Sequence, residues 1–244
     1  MSIVYNGEHS ITIGSEHTWK NWHLIPTSRP LVNPPKMNVK YVEVPGLNGS
    51  IDLTTSLTSY PSYSNRTGSW EFIVANGYWK SWAEAYTTIM RRLNTGRKYI
   101  ILDDDKGFRY TGRVSVNSWK SDKDWSKIVL DYNVGPFKHE LTSTTDKWLW
   151  DPFSFVDGII QPEVNNLSIS GNTTIKIYGR SEPIVPVITV NSGSNITLIL
   201  NNGDIHYLVS GKNVIPGMIL NYGENTLAFS GTGNITIDYR AGEF

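Results

Sequence analysis

The sequence predicts a mainly β protein of two domains, and three observations support this. Ile and Val number 41 against 5 Ala, and β-branched side chains favour strands. Ser, Thr and Asn supply 66 residues and Gly another 21, which is typical of a chain with many turns. All nine Trp lie at or before Trp150, and the net charge changes from +4 over residues 1–140 (17 basic, 13 acidic) to −4 over residues 141–244 (5 basic, 9 acidic). We therefore predict an N-terminal domain over residues 1–138, a junction over 139–162 and a C-terminal β-sandwich over 163–244.

The overall charge and the lack of cysteine exclude several classes of protein. The chain carries 22 basic and 22 acidic residues, so it lacks the positive surface that grips nucleic acid through phosphates. It has no Cys, which excludes disulfides, thiol nucleophiles and thiolate metal sites. The N-terminal residues become polar after four positions, and no apolar run approaches the ~20 residues that span a bilayer. We expect neither a signal peptide nor membrane insertion.

The N-terminal domain is predicted to contain short strands, a hairpin and a long irregular segment. The segment Pro45–Gly68 is rich in Gly, Pro, Ser and Thr and is predicted to be a long loop or an extended hairpin. Segments of this size in a folded domain usually serve a function or contact a partner. The predicted strands are Ile11–Ile13, Val39–Val44, Trp70–Val74, the hairpin pair Lys98–Asp103 and Phe108–Val116, and a strand in which Ile128, Leu130, Tyr132 and Val134 form one buried face.

One helix is predicted, and it begins near residue 81. Ser81 and Glu84 fit a capping box, and Gly96 is placed to end the helix. Arg91 and Arg92 fall in its last turn, where cations complement the helix dipole. A single apolar stripe that packs on the sheet is predicted from Trp82, Tyr86, Ile89, Met90 and Leu93.

The C-terminal domain is predicted to be a run of short strands in a β-sandwich or jelly roll. Its turn signals include Ser192-Gly193, Ser210-Gly211 and Gly231–Gly233. The predicted strands are Leu167–Ser170, Thr174–Tyr178, Val185–Val190, Ile196–Leu200, His206–Val209, Met218–Leu220, Thr226–Ser230 and Asn234–Tyr239.

The sequence contains no credible catalytic or metal-binding set, so we predict neither enzyme activity nor a cofactor. The densest acidic cluster, Asp103-Asp104-Asp105, is predicted to be a solvated hairpin turn rather than a pair of catalytic carboxylates or a calcium loop. The five histidines show no helical i, i+4 pair, and the repeats Glu8-His9 and Glu16-His17 suggest the ends of strands. A nucleophile elbow, a phosphate loop and a dinucleotide motif are all missing.

A carbohydrate-binding module is the alternative function. Sugar sites stack a ring on an exposed aromatic side chain with polar groups beside it. The C-terminal domain has no Trp, but Tyr178, Tyr207 and Tyr222 are candidate platforms, and Tyr239 is a further one. Each of these tyrosines is also explained by packing on a strand. The alternative is therefore a two-domain carbohydrate-binding or adhesion protein that recognises cell-wall polysaccharide.

Several segments of the chain resemble a known family when they are taken in order. The segment YVEVPGLNGSIDLT (Tyr41–Thr54) resembles a stretch near the start of the distal tail proteins (Dit) of siphophages that infect Gram-positive hosts. The segment WAEAYTTIMRRLNTGRKYIILDDDKGFRYTGRV resembles the helix, hairpin and following strand of that family. The junction segments DYNVGPFKHE and WLWDPFSF, and the C-terminal segments PVITVNSGSNITLIL and NTLAFSGTGNITIDYRAGEF, also resemble family members.

The resemblance implies a structural protein of the virion. Members of this family form hexameric rings through an N-terminal β-sandwich or split-barrel domain, and a galectin-like β-sandwich follows. The ring is a hub between the tail tube protein and the tail-tip or tail-associated protein, in some members with a receptor-binding protein, and it leaves a channel for DNA. Such a chain is made in the cytoplasm of the host bacterium and acts in the tail tip.

The same resemblance suggests a role for the long segment Pro45–Gly68. It has too few large apolar residues to form a core of its own, yet apolar side chains recur along it. We expect these side chains to be buried against the N-terminal domain of a neighbouring copy. The candidate contact residues are Leu47, Ile51, Leu53, Leu57, Tyr60 and Tyr63.

Overall fold

Strands make up most of the regular structure in both parts of the chain. The computed structural model describes residues 6–56, 58, 60–75, 77–121, 126–146, 164–200 and 203–244. Contacts within the chain divide it into a first unit, Met1–Lys138, and a second unit, His139–Phe244. The three-part domain division with a junction over residues 139–162 remains a prediction, and much of that junction lies outside the described residues.

The first unit is built on a curled antiparallel sheet. Seven strands pair in the order β2-β1-β7-β8-β9-β6-β3, while β4 and β5 pair with each other in a separate two-stranded ribbon. The elements are β1 (Ile11–Ile13), β2 (Glu16–His17), β3 (Leu24–Pro26), β4 (Tyr41–Glu43), β5 (Ser50–Asp52), β6 (Arg66–Val74), α1 (Trp82–Leu93), β7 (Lys98–Leu102), β8 (Phe108–Ser121) and β9 (Ser126–Val134).

The core of the first unit lies between this sheet and α1. Ile128, Leu130, Tyr132 and Val134 of β9 are all buried, as their alternation predicts. Across the ladder, the partner of Leu130 on β6 is Trp70. The same cluster includes Ile89 and Leu93 from α1, so the helix covers the sheet as expected.

The cap of α1 is confirmed, but its apolar stripe was predicted too broadly. The Ser81 hydroxyl accepts a hydrogen bond from the Glu84 N–H at 3.2 Å, while the Glu84 carboxylate accepts from the Lys80 N–H instead of the Ser81 N–H. Ala85 is buried together with Ile89 and Leu93, whereas Trp82 and Met90 are exposed. The buried and the exposed residues form two neighbouring rows along the helix. Because successive residues are about 100° apart around the helix axis, the two rows are separated by about 60°, and the sheet covers only the buried row.

Two long bent strands organise the second unit. The elements are β10 (Lys138–Glu140), which starts at the boundary between the units, β11 (Leu167–Ser170), β12 (Thr173–Gly179), β13 (Val187–Ile199), β14 (Ile205–Tyr207), β15 (Gly211–Val214), β16 (Gly223–Asp238) and β17 (Gly242–Glu243). Beside β17, the N–H of Glu140 donates to the carbonyl of Ala241. The long strands β13 and β16 pair with each other almost throughout their length.

Each half of this long pair carries its own flanking strands, so that one folded sheet makes a sandwich. Residues 187–190 of β13 pair with β15, and residues 197–199 pair with β14. Residues 232–235 of β16 pair with β11, and residues 223–229 pair with β12. Side chains from both halves meet in one core that includes Ile188, Leu198, Phe229 and Ile237.

The predicted strand boundaries in the second unit were wrong at four places. Ser192-Gly193 and Gly231–Gly233 are bends within β13 and β16, not turns, so four predicted strands are two. Gly193 has φ +104°, and a Cβ there would lie 2.2 Å from the carbonyl oxygen of Thr232. Met218–Leu220 is not a strand, although Leu220 forms an isolated bridge with Ile184. The predicted turn was Ser210-Gly211, but Gly211 is the first residue of β15, a strand that was not predicted.

Candidate functional site

A long hairpin, residues 36–64, extends from the first unit, and we call it the arm. Its base is closed by main-chain hydrogen bonds from the Ser64 N–H to the Lys36 carbonyl (2.8 Å) and from the Asn38 N–H to the Ser62 carbonyl (2.9 Å). Farther out, β4 and β5 form a short antiparallel ladder. A hairpin is present, but its bounds differ from the predicted Pro45–Gly68: its first strand, β4, precedes Pro45, and residues 66–68 belong to β6.

The arm exposes a continuous series of large apolar side chains. Their exposed fractions lie between 36% and 58%. An isolated two-stranded ribbon is marginally stable in water, and each of its strands has a free edge. Exposed apolar area of this extent marks an interaction surface more often than an idle loop. The residues are Met37, Val39, Tyr41, Val42, Val44, Leu47, Ile51 and Leu53.

The two faces of the arm differ in character. Val42 lies directly opposite Ile51, and the Leu53 N–H donates to the Lys40 carbonyl. Alternation therefore places Val42, Val44, Ile51 and Leu53 on one side of the ribbon, which we call the apolar face.

The opposite face of the arm is more polar. It carries Val39 and Tyr41 together with Glu43, Ser50 and Asp52. Hydrogen bonds from the Thr54 side chain and backbone N–H hold the pKa of Asp52 below its ordinary value, so this carboxylate stays ionised at neutral pH. The opposite face therefore carries acid charge that a partner can complement.

The predicted contact residues fall into three groups. Leu47, Ile51 and Leu53 are exposed on the arm. Tyr60 and Tyr63 are half-buried, and the Tyr63 ring packs edge-on against Phe137 of its own unit with centroids 5.8 Å apart. Leu57 lies outside the described residues.

The sequence analysis did not single out the apolar residues that precede Pro45. Val39, Tyr41, Val42 and Val44 belong to a segment that was interpreted only as a strand. The feature that was overlooked is that apolar residues occur on both faces of this short strand. In the structure, neither of the two clusters of buried residues includes any of them. A strand that is apolar on both faces and is flanked by Gly and Pro needs a partner from elsewhere.

The acidic turn is bonded more extensively than predicted. Asp103 lies 3.2 Å from His17, and Asp104 lies 2.7 Å from His9 and 3.4 Å from Arg29. Asp105 accepts from the Lys138 ammonium at 2.8 Å. The turn is therefore not simply solvated, because its carboxylates tie β7 and β8 to the ends of the β1–β2 hairpin. The two histidines, His9 and His17, belong to the Glu8-His9 and Glu16-His17 repeats.

Two of the three tyrosines proposed as sugar platforms are open to solvent. Tyr207 is 80% exposed and Tyr222 is 78% exposed. Tyr178 is half-buried, and its hydroxyl lies 3.2 Å from the Glu224 carboxylate, which also pairs with Lys176 at 2.9 Å. These hydrogen bonds and the charge of Lys176 hold the pKa of Glu224 below its ordinary value. The additional candidate, Tyr239, is buried in the core.

Within the part of the chain that the structure describes, no group of three or more His, Asp or Glu side chains could hold a metal ion. None of the described helices is long and apolar enough to cross a membrane.

Comparison with known proteins gives a likeness at the level of fold. The chain is similar in structure to the Dit protein of phage SPP1, a crystal structure described as a paradigm of the hub adsorption apparatus in phages that infect Gram-positive bacteria. The TM-score is 0.58 at 11% sequence identity, over 96% of this chain and 98% of that chain. No family model matches the sequence, and no curated protein matches it.

The likeness extends over nearly the whole of both chains. The predicted fold class, mainly β with one helix and a Dit-like β-sandwich architecture, is confirmed. The resemblance to the distal tail proteins is supported for the fold.

Proposed function

We propose that this chain is a structural hub of a phage tail tip or baseplate. In this role it forms a hexameric ring that joins the tail tube protein to the tail-tip and adhesion apparatus, and the ring leaves a channel for DNA. The likeness to the Dit protein of phage SPP1, which is named as a hub adsorption protein, supports the class of function. The hexameric state and the channel for DNA are what the sequence resemblance to the distal tail proteins implies.

The observation that carries the proposal is the uncovered arm. A closed ring needs a heterologous contact, in which one patch of a subunit meets a different patch of the next. An arm that leaves its own unit and displays an apolar face supplies one half of such a contact. Four of its side chains, Val42, Val44, Ile51 and Leu53, share the apolar face and are 36–44% exposed in the free chain, so burying them on a neighbouring copy stabilises such a contact.

The composition supports a structural role around DNA. The chain has a net charge of zero, with 22 residues of each sign. A channel through which DNA passes must not bind phosphates strongly, because each neutralised phosphate adds salt-dependent affinity. The hub is proposed to act without a cofactor and without catalysis, in the virion.

Sedimentation velocity of the purified protein, over a wide range of concentration, tests the proposal. We expect a species six times the mass of the 27.5 kDa chain. A ring that forms only with the tail tube protein or tail-tip protein also supports the hub. A chain that stays monomeric alone and with both partners rejects it.

Carbohydrate binding is the second candidate, because Tyr207 and Tyr222 present open rings on the second unit. A ligand that binds only the folded state raises the melting temperature. Cell-wall polysaccharide should then shift the Tm of the native chain, and the shift should disappear in a Tyr207→Ala/Tyr222→Ala variant. No shift at saturating polysaccharide rejects this candidate and leaves the hub unaffected.

A further inference from the structure

The sequence contains four Asn-Gly pairs, in which an asparagine side chain can react with the backbone nitrogen that follows it. In this reaction the glycine nitrogen attacks the side-chain carbonyl carbon of the asparagine. Glycine favours the attack because it has no Cβ to crowd its nitrogen and because its backbone is the least restricted. The pairs are Asn6-Gly7, Asn48-Gly49, Asn76-Gly77 and Asn202-Gly203.

Asn48-Gly49 lies at the tip of the arm, in the connection between β4 and β5. The last pair of the ladder before the tip is Glu43 with Ser50, and both residues of the dipeptide are exposed. Gly49 has φ +88°, and a Cβ built at this position would have no atom within 4 Å. The dipeptide is therefore surrounded by solvent, so water and hydroxide can reach it from every side.

Neither of the two reacting groups at the tip is held by a hydrogen bond. The register of the ladder would place Gly49 opposite Val44, but the Val44 carbonyl accepts from the Leu47 N–H at 3.0 Å instead. Among the described residues, no atom accepts a hydrogen bond from the Gly49 N–H, and the Asn48 amide has no partner. No hydrogen bond has to be broken before the Gly49 nitrogen and the Asn48 side chain can meet.

The Asn6-Gly7 pair is held at both reacting groups. The Asn6 Nδ2 donates to the Glu8 carboxylate at 2.9 Å, and the Asn6 Oδ1 accepts from the Glu8 N–H at 3.2 Å. A Cβ at Gly7 would lie 2.4 Å from Cδ1 of Trp19, so this glycine packs closely against a ring. The Asn6 side chain would have to leave two hydrogen bonds in order to react.

The Asn202-Gly203 pair is restrained at the attacking nitrogen. The Gly203 N–H donates to the Leu200 carbonyl at 2.9 Å, and the reaction would have to break this bond first. Asn202 itself, like Asn76 of the fourth pair, lies outside the described residues. Of the two pairs that are described at both residues, only Asn48-Gly49 has both groups unpaired.

We propose that Asn48 is a site of spontaneous deamidation, which converts the arm tip to aspartate and isoaspartate as the chain ages. The Gly49 nitrogen loses its proton to solvent base and forms a bond to Cγ of Asn48. The bond from Cγ to the side-chain nitrogen breaks, and this nitrogen takes a proton from water and leaves as ammonia. Water then opens the cyclic imide at either of its two carbonyl carbons. One opening gives aspartate, and the other gives isoaspartate, in which the backbone runs through the former side chain.

The modification changes both the charge and the length of the arm tip. Each product carries a carboxylate where the fresh chain has a neutral amide, so a chain of net charge zero becomes acidic. The new charge adds to the acid charge that Glu43 and Asp52 already place on the arm. Isoaspartate also lengthens the connection between β4 and β5 by one backbone atom. Aged chains therefore separate from fresh ones by isoelectric focusing.

Peptide mapping by mass spectrometry, after the folded chain has been kept at mildly alkaline pH, tests the inference. The peptide that contains Asn48 should gain the mass difference between an amide and a carboxylic acid, and should split into two species of equal mass for the two linkages. The Asn6 and Asn202 peptides should convert at least about tenfold more slowly, since each site must first lose a hydrogen bond. The fully denatured chain is the control, and there the three sites should convert at similar rates.

A matched pair of variants tests the same inference through charge. Asn48→Gln keeps the amide and the charge, but glutamine would have to close a six-membered imide, which forms far more slowly. The acidic band that grows in the native chain on isoelectric focusing should therefore be lost in Asn48→Gln. Asn6→Gln should leave the growth of this band unchanged. An acidic band that grows at the native rate in Asn48→Gln places the reaction elsewhere and overturns the inference.

The inference does not depend on the proposed ring. Peptide mapping is therefore carried out both on the native chain and on Ile51→Asp/Leu53→Asp, whose arm is not expected to dock on a neighbouring copy. Selective conversion of Asn48 in both chains supports the inference whether or not a ring forms. Selective conversion in the variant alone also supports it, and shows that assembly covers the arm tip. Equal rates at Asn6, Asn48 and Asn202 in both folded chains overturn it.

Discussion

A double substitution on the apolar face of the arm tests how much of the assembly depends on it. In Ile51→Asp/Leu53→Asp, two side chains that are 44% and 36% exposed in the free chain are replaced by carboxylates. Burying a whole Ile or Leu side chain contributes about 1.5–3 kcal/mol. The part still exposed here therefore accounts for about 1–2.5 kcal/mol over the two positions. Each of the two carboxylates left at the interface adds a desolvation cost of about 1–3 kcal/mol or more.

The sum predicts a contact that is weaker by at least about 3 kcal/mol, or roughly a hundredfold in dissociation constant. The fold of each unit should be unaffected, since neither residue belongs to a buried cluster. Sedimentation equilibrium measures the association, and circular dichroism and thermal melting measure the fold.

The matched control is Val39→Asp, which introduces a carboxylate on the opposite face of the arm. It should assemble nearly as well as the native chain. If the double variant keeps the native assembly constant, the arm does not hold the ring. If it loses its cooperative melting transition, the arm belongs to the folding core of its unit, contrary to its exposure.

Three further predictions concern the units themselves. Limited proteolysis should cut within residues 139–162 and leave a stable C-terminal fragment of about 90–100 residues, in the usual size range of a domain; cuts only inside the sandwich would contradict that boundary. Burial lowers the pKa of His23, so the unfolded state binds the proton more readily and stability should fall as the pH drops below about 6.5. His23→Asn, which suits the local φ of +52°, should flatten that part of a pH series of melts. Gly193→Ala should destabilise the second unit by several kcal/mol, because its Cβ would collide with the Thr232 carbonyl at a φ of +104°; a Tm within about 2 °C of native would show that the bend yields easily.

Much of the first unit can be predicted from local patterns. The strand containing Ile128 to Val134 and the cap at Ser81 obey rules that act over a few residues, and both are confirmed. The two rows of α1 could not be separated, because the sequence does not show where the edge of the covering sheet lies. The Asp103–Asp105 turn could not be connected to His9 and His17, because that contact joins residues about 90 positions apart.

The second unit shows a different limit of sequence patterns. Glycine allows both a turn that ends a strand and a bend inside one, so Gly193 and Gly233 gave the wrong count of strands. The pairing of β13 with β16 decides between these outcomes, and it is a long-range contact. The arm presents a related difficulty, since apolar residues of β4 look like core residues until the rest of the core is known.

Electron microscopy of the purified protein, alone and mixed with the tail tube and tail-tip proteins, tests the central claim most directly. The account predicts closed rings with six-fold symmetry and a central opening, formed by the native chain and lost in Ile51→Asp/Leu53→Asp. Single particles the size of one 27.5 kDa chain in every mixture, or open filaments in place of closed rings, would contradict it.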